Sequence, residues 1–149
     1  MGGSKDQCFN QHLATSALEE AKKALELANE ELKSFRGETL KLRDTCEKGW
    51  LAVLLATDVL LAELSFRKPE SYAERRILLR ELERKMPKAA EFSLRDRLGA
   101  RGYYLHILGY HEGSLREEEA AEELEKARKY VEDVEKLIKE AKQKETWRA

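Results

Sequence analysis

The chain has 149 residues, enough for one domain that buries its own core without staples. Its 42% hydrophobic content excludes a disordered chain, and abundant Ala, Leu, Glu, Lys and Arg with only two prolines argue against a β-rich one. The net charge of −1 gives no global pull toward nucleic acid or membrane.

The local charge is uneven. Residues 67–101 hold 11 basic and 6 acidic side chains, a net +5, whereas 1–66 hold 8 and 11, and 102–149 hold 9 and 12. That middle segment reads either as a phosphate-binding surface or as a solvated, ion-pair-rich face. Cys8 and Cys46 are isolated and lack metal-ligand spacing, which fits a reduced, cytoplasmic setting. The opening MGGSKDQ is polar and is read as a tail over 1–9, not as a signal peptide. One domain over 1–149 is expected.

The first helix is predicted over 10–35. Ala14, Leu18, Ala21, Leu25, Ala28, Leu32 and Phe35 form one apolar stripe, and Gly37 ends it. The second is predicted over 38–66. Its segment WLAVLLATDVLLAEL is apolar nearly all round, so other helices should surround it. Thr57, Asp58 and Glu63 interrupt that run, which is too short and too polar to span a bilayer. Asp58 requires a partner if buried, and an Arg or His of the fourth helix is the leading choice.

The third helix is predicted over 71–86, after a turn at Pro69, with Tyr72, Leu78, Leu79, Leu82 and Met86 inward. The fourth should start at Ser93, capped with Asp96, and run to Gly113. Ser114 and Glu117 read as a second cap for a fifth helix ending near 145. Ala120, Leu124, Ala127, Val131, Val134, Ile138 and Ala141 repeat the apolar stripe there. The expected fold is all-α, an up-and-down bundle of four long helices plus a shorter one.

The stretch ARGYYLHILGYHEG, residues 100–113, carries the chemistry. On an α-helix, Gly99, Gly102, Gly109 and Gly113 share a face with His106, which reads as a close-packing seam, within the bundle or between protomers. His106 is either a satisfied core residue or a general acid/base. Arg101 lies five residues earlier, about 140° around an α-helix, so the two diverge within one straight helix. Tyr103, Tyr104 and Tyr110 read as packing residues or as base-stacking and phosphate-facing groups. His106 and His111 are also five apart, so no metal site is expected; His12 has no partner in view.

The R-x4-H motif from Arg101 to His106, the segments EKGWLAVLLATDVLLA at 47–62 and LHILGYHEG at 105–113, and the helical-bundle pattern resemble the HEPN superfamily, and within it the archaeal PaREP-type branch. The resemblance implies a homodimer with the motif at its interface. It implies a metal-independent endoribonuclease of a toxin or defence system, with Arg101 and His106 as the catalytic pair and no cofactor. It further implies RNA as substrate and a small nucleotidyltransferase antitoxin as partner. Asp58, Tyr103, Tyr110 and His111 would support the pair, and Arg76, Arg80, Arg84, Arg95 and Arg97 would hold RNA. Gly102 departs from the polar residue that often follows the arginine in active members. The alternative is a non-catalytic homodimeric HEPN-like module that binds a protein or a nucleotide.

Overall fold

The computed structural model describes the backbone of residues 3–147 and the side chains of residues 18–144. The first helix starts at Gly3 and not at residue 10, so the tail expected over 1–9 is largely helix; the side chains of Cys8, His12 and Ala14 lie outside those described. The elements are α1 (Gly3–Lys33), α2 (Thr39–Leu64), α3 (Tyr72–Lys85), α4 (Pro87–Phe92), α5 (Leu94–Arg101), a π-helix (Gly102–Glu112) and α6 (Glu117–Trp147). The described residues are helical throughout the secondary structure, with no strand. The expected fourth helix is thus divided into a short α-helix running directly into a π-helix.

Three long helices form the frame. The predicted stripes are its core: Leu18, Ala21, Leu25 and Ala28 of α1 face Ala120, Leu124, Ala127, Val131, Val134 and Ile138 of α6, with α2 against both. The alternation of Ala and Leu lets these backbones approach closely while leucines fill the gaps. Ion pairs tie the frame together. Glu31 of α1 meets Lys48 of α2 at 2.7 Å, and Lys22 of α1 meets Glu135 of α6 at 2.5 Å. Along α2 and α6 the partners advance together, Thr57 with Tyr130 and Glu63 with Lys142, so these two helices point the same way. Along α2 and the π-helix the partners run oppositely, Trp50 against Gly102 and Cys46 against Gly109.

Thr57 is not a gap in the apolar helix. Its hydroxyl donates to the Val53 carbonyl at 2.8 Å, so the buried Tyr130 hydroxyl, 2.6 Å away, donates to Thr57. Asp58 takes both its hydrogen bonds from Arg75, at 2.5 and 2.9 Å. The partner is an arginine as expected, but from α3 and not from the fourth helix. The α2–α3 turn is short, and it brings the first turn of α3 back over α2.

Two expected caps are not made. Ser93 sits at φ 51°, in the left-handed turn between α4 and α5, and its side chain caps nothing. Glu83 of α3 accepts from the Arg95 N–H at 3.0 Å instead. Ser114 looks backward: its N–H and hydroxyl both donate to the Leu108 carbonyl, at 2.9 and 3.3 Å, closing the π-helix. Ser71 is a true cap, accepting from the Glu74 N–H at 3.1 Å.

The glycine seam is real in part, and it lies within one chain. A Cβ on Gly102 would meet the Trp50 ring at 3.1 Å, and one on Gly109 would meet the Cβ and Sγ of Cys46 at 2.6 and 2.7 Å. Gly49 of α2 contributes from the other side, where a Cβ would meet Leu124 at 2.6 Å. Gly99 faces open space and is not part of the seam. Gly113 has a different duty: it ends the π-helix at φ 62°, beside the Arg43 guanidinium.

Gly109→Ala should therefore destabilise by about 1–3 kcal/mol through overpacking. Gly99→Ala should be neutral or stabilise by up to about 1 kcal/mol through helix propensity. Urea denaturation midpoints of the two variants check the contrast.

Candidate functional site

The π-helix presents one side to α2 and the other to α6. A π-helix closes each turn one residue later than an α-helix, through i→i+5 hydrogen bonds. Residues five apart therefore come to neighbouring positions, where an α-helix would separate them by about 140°. His106 and His111 meet for this reason, Nε2 to Nε2 at 3.1 Å. The expectation that they do not share a face is corrected, since it assumed α-helical pitch.

The wide turn is held by its ends. Gly113, Ser114 and Arg43 all serve its last carbonyls, Arg43 by donating from Nη2 to the Glu112 carbonyl at 3.1 Å. Its floor is the seam with α2.

His106 is half-buried and faces α2. Its Nδ1 lies 2.9 Å from Oε2 of Glu47. A carboxylate only accepts, so Nδ1 carries the hydrogen. In the neutral ring Nε2 is then the lone pair, and His111 donates to it. The ring packs between Trp50, with centroids 5.9 Å apart, and Tyr110, stacked at 6.0 Å and 17°. A carboxylate that orients one imidazole nitrogen leaves the other set to take or give a proton.

His106 opens on a cleft of about 480 Å³ walled by Trp50, Leu54, Tyr72, Tyr103 and Ile107, with Arg75 at its edge. Gly102 and Gly99 keep its mouth free of side chains. His111 and Tyr110 face a second, shallower depression of about 730 Å³, lined by Glu31, Glu38, Lys41 and Asp44. The second is larger but open and charged; the aromatic cleft is better shaped to hold a planar organic group. The histidine pair joins the two.

Arg101 is not in the cleft. It is 7% exposed and pairs with Glu123 of α6 at 2.8 Å, with Tyr104 at 5.9 Å across its guanidinium. Burial pushes its pKa below the usual guanidinium range, and Glu123 opposes that shift. Arg101 and His106 leave the helix toward α6 and α2 respectively, and the chain does not bring them together. Arg101 Nε and Glu123 Oε2 make no hydrogen bond among the described residues, so the pair is held mainly by charge.

Of the five arginines expected to hold RNA, Arg76, Arg80 and Arg84 form one exposed stripe of α3, four residues apart, and Arg95 is exposed nearby. Arg76 stacks on Tyr72 at 5.6 Å, which ties the stripe to the rim of the cleft. Arg97 is spent structurally: it pairs with Asp133 at 2.9 Å, donates to the Phe92 carbonyl and lies over Tyr130. Tyr103 is exposed at the cleft.

Glu47, Trp50 and Glu123 were not legible as site residues. Glu47 reads as an ordinary helix-surface charge, and only the seam turns it toward His106. Glu123 carried a weak signal: it lies between Ala120 and Ala127 of the α6 stripe, where an acid has the same need for a partner as Asp58.

Cys46 lies between the two pairs. Burial first, then Glu123 and Glu47, push its thiol from 9.0 up to about 11. Between those values the unfolded chain has lost the proton and the folded chain keeps it, so stability falls as pH rises. Relative to Cys46→Ala, the wild type should lose about 2–3 kcal/mol between pH 8 and 11, measured as unfolding free energies at each pH. Arg101→Met or Glu123→Gln alone leaves one group without its partner, and each should cost about 3–5 kcal/mol. The double variant Arg101→Met/Glu123→Leu should recover most of that in chemical denaturation. No protein-family model, curated protein or solved structure matches this chain.

Proposed function

We propose that this chain is a HEPN-like helical bundle whose cleft cleaves RNA without a metal, with His106 as the group that moves the proton. The observation that carries the reading is the bond from His106 Nδ1 to Glu47 at 2.9 Å, which leaves Nε2 as the basic nitrogen of a histidine beside an aromatic cleft. In this reaction the ribose 2′-hydroxyl displaces the His111 N–H from Nε2 of His106, and the Nε2 takes the hydroxyl proton. That oxygen attacks the adjacent phosphorus, and the bond to the 5′-oxygen breaks. The leaving oxygen regains a proton from the histidine pair, leaving a 2′,3′-cyclic phosphate and a 5′-hydroxyl. Glu47 stabilises the imidazolium formed along the way. Tyr72 and Tyr103 offer faces for an unstacked base, and the Arg76–Arg80–Arg84 stripe offers charge for the phosphates that follow.

This assignment moves the second catalytic role from Arg101 to Glu47. Arg101 acts instead as the strut between the π-helix and α6. Its burial also favours a second reading, a non-catalytic homodimeric module of the same fold that binds a protein partner, such as a nucleotidyltransferase antitoxin, or a nucleotide. A cytoplasmic location suits both. Among the described residues no helix is long and apolar enough to cross a membrane.

Structured RNA incubated with the full chain in EDTA separates them. Wild type should release cyclic-phosphate ends, His106→Ala should be about 10²- to 10⁴-fold slower, and Glu47→Gln should fall by a comparable factor. Cleavage by His106→Ala at the wild-type rate, or by neither protein, defeats the ribonuclease reading. A stable dimer by light scattering with no cleavage supports the second.

A further inference from the structure

The facing histidines carry a second property. We propose that His106 and His111 form a two-histidine site for a divalent transition-metal cation of the zinc, nickel or copper type, and that the cation acts as an off-switch. Their Nε2 atoms are 3.1 Å apart. Two nitrogens bound to one metal at about 2.0–2.1 Å, with an angle between a right angle and a tetrahedral one, stand about 2.8–3.4 Å apart. The separation in the free protein already matches that bite. A cation would take the place of the single proton that the two nitrogens share.

The surroundings are those of a metal-binding histidine. Glu47 accepts from Nδ1 of His106 at 2.9 Å, which fixes the tautomer and the ring orientation, as a carboxylate behind a ligating histidine does. Tyr110 stacks on His106 and meets the His111 ring edge-on at 5.1 Å, so both rings are restrained before any cation arrives. Trp50 backs His106 from the other side. Imidazole nitrogens select zinc, nickel and copper over magnesium and calcium, which prefer oxygen.

Among the described residues no third His, Cys, Asp or Glu completes a ligand set. His111 is exposed, so water fills the remaining positions. Two protein ligands make an exchangeable site and not a permanent cofactor centre. Its effect on catalysis rests on the reading proposed above: a bound cation occupies the lone pair that His106 needs as a base, and cleavage stops.

Calorimetric titration of the chelator-treated full chain with zinc chloride tests the site without reference to activity. One zinc per chain should bind in a way that His111→Ala weakens at least ~10-fold and Glu47→Gln weakens ~10- to 100-fold. Magnesium should not compete. His111 lies on the surface, so its variant should keep the wild-type circular dichroism spectrum, and binding that persists in it belongs elsewhere on the chain. Equal affinity of wild type and His111→Ala, or no binding by either, overturns the site. The switch is read separately, by adding one equivalent of zinc to the RNA assay without EDTA. Zinc binding with undiminished cleavage overturns the switch alone, and zinc binding with no cleavage under any condition overturns the ribonuclease reading and the switch while the metal site stands.

Discussion

The close approach of the π-helix to α2 is the contact on which the rest of this molecule depends. Gly102 lies on the Trp50 ring and Gly109 on Cys46, and neither position has room for a methyl group without movement. That approach buries Leu105 and Trp50, and it places Glu47 under His106. It also brings Arg43 to the last carbonyl of the π-helix. A wider spacing would lose the packing and would also take the carboxylate away from the imidazole.

Charge is arranged around the same helix in two different ways. Toward α6, Arg101 and Glu123 form a buried pair whose worth is positional, since desolvation offsets much of the attraction. Toward α2, His106 and Glu47 form a pair that water still reaches. The first fixes how the helix is rotated; the second stays open to solvent. Cys46, between Glu47 and Glu123, is held as a neutral thiol by burial and by both carboxylates. It belongs to packing and not to chemistry.

The aromatic cleft and the basic face of α3 are one surface because of Tyr72. It walls the cleft on one side and carries Arg76 on the other. Asp58 anchors this region by pairing with Arg75, so an acid within an otherwise apolar helix becomes the hinge pin that seats α3 on α2. Like charges four residues apart weaken an isolated helix, and Arg76, Arg80 and Arg84 are kept without acidic partners in ion pairs among the described residues. An anionic partner would relieve that repulsion.

The helical class and the frame are legible in the sequence. The stripes through Leu18–Ala28 and Ala120–Ile138 repeat at helical spacing, and that periodicity can bury its apolar face only against other helices. The sequence also called for an Arg or His partner if Asp58 is buried and for close packing at Gly99, Gly102, Gly109 and Gly113, of which Gly102 and Gly109 meet α2. The pitch of residues 102–112 is set by tertiary contacts and is not readable locally. Locally, an α-turn and a π-turn differ by one hydrogen-bond step, and the choice falls to the seat on α2 and to the partners that close the last carbonyls. Every pairing at the site descends from that choice. His111 joins His106 because the turn is wide, Glu47 joins it because α2 is close, and Arg101 goes to Glu123 because the opposite side of the helix faces α6.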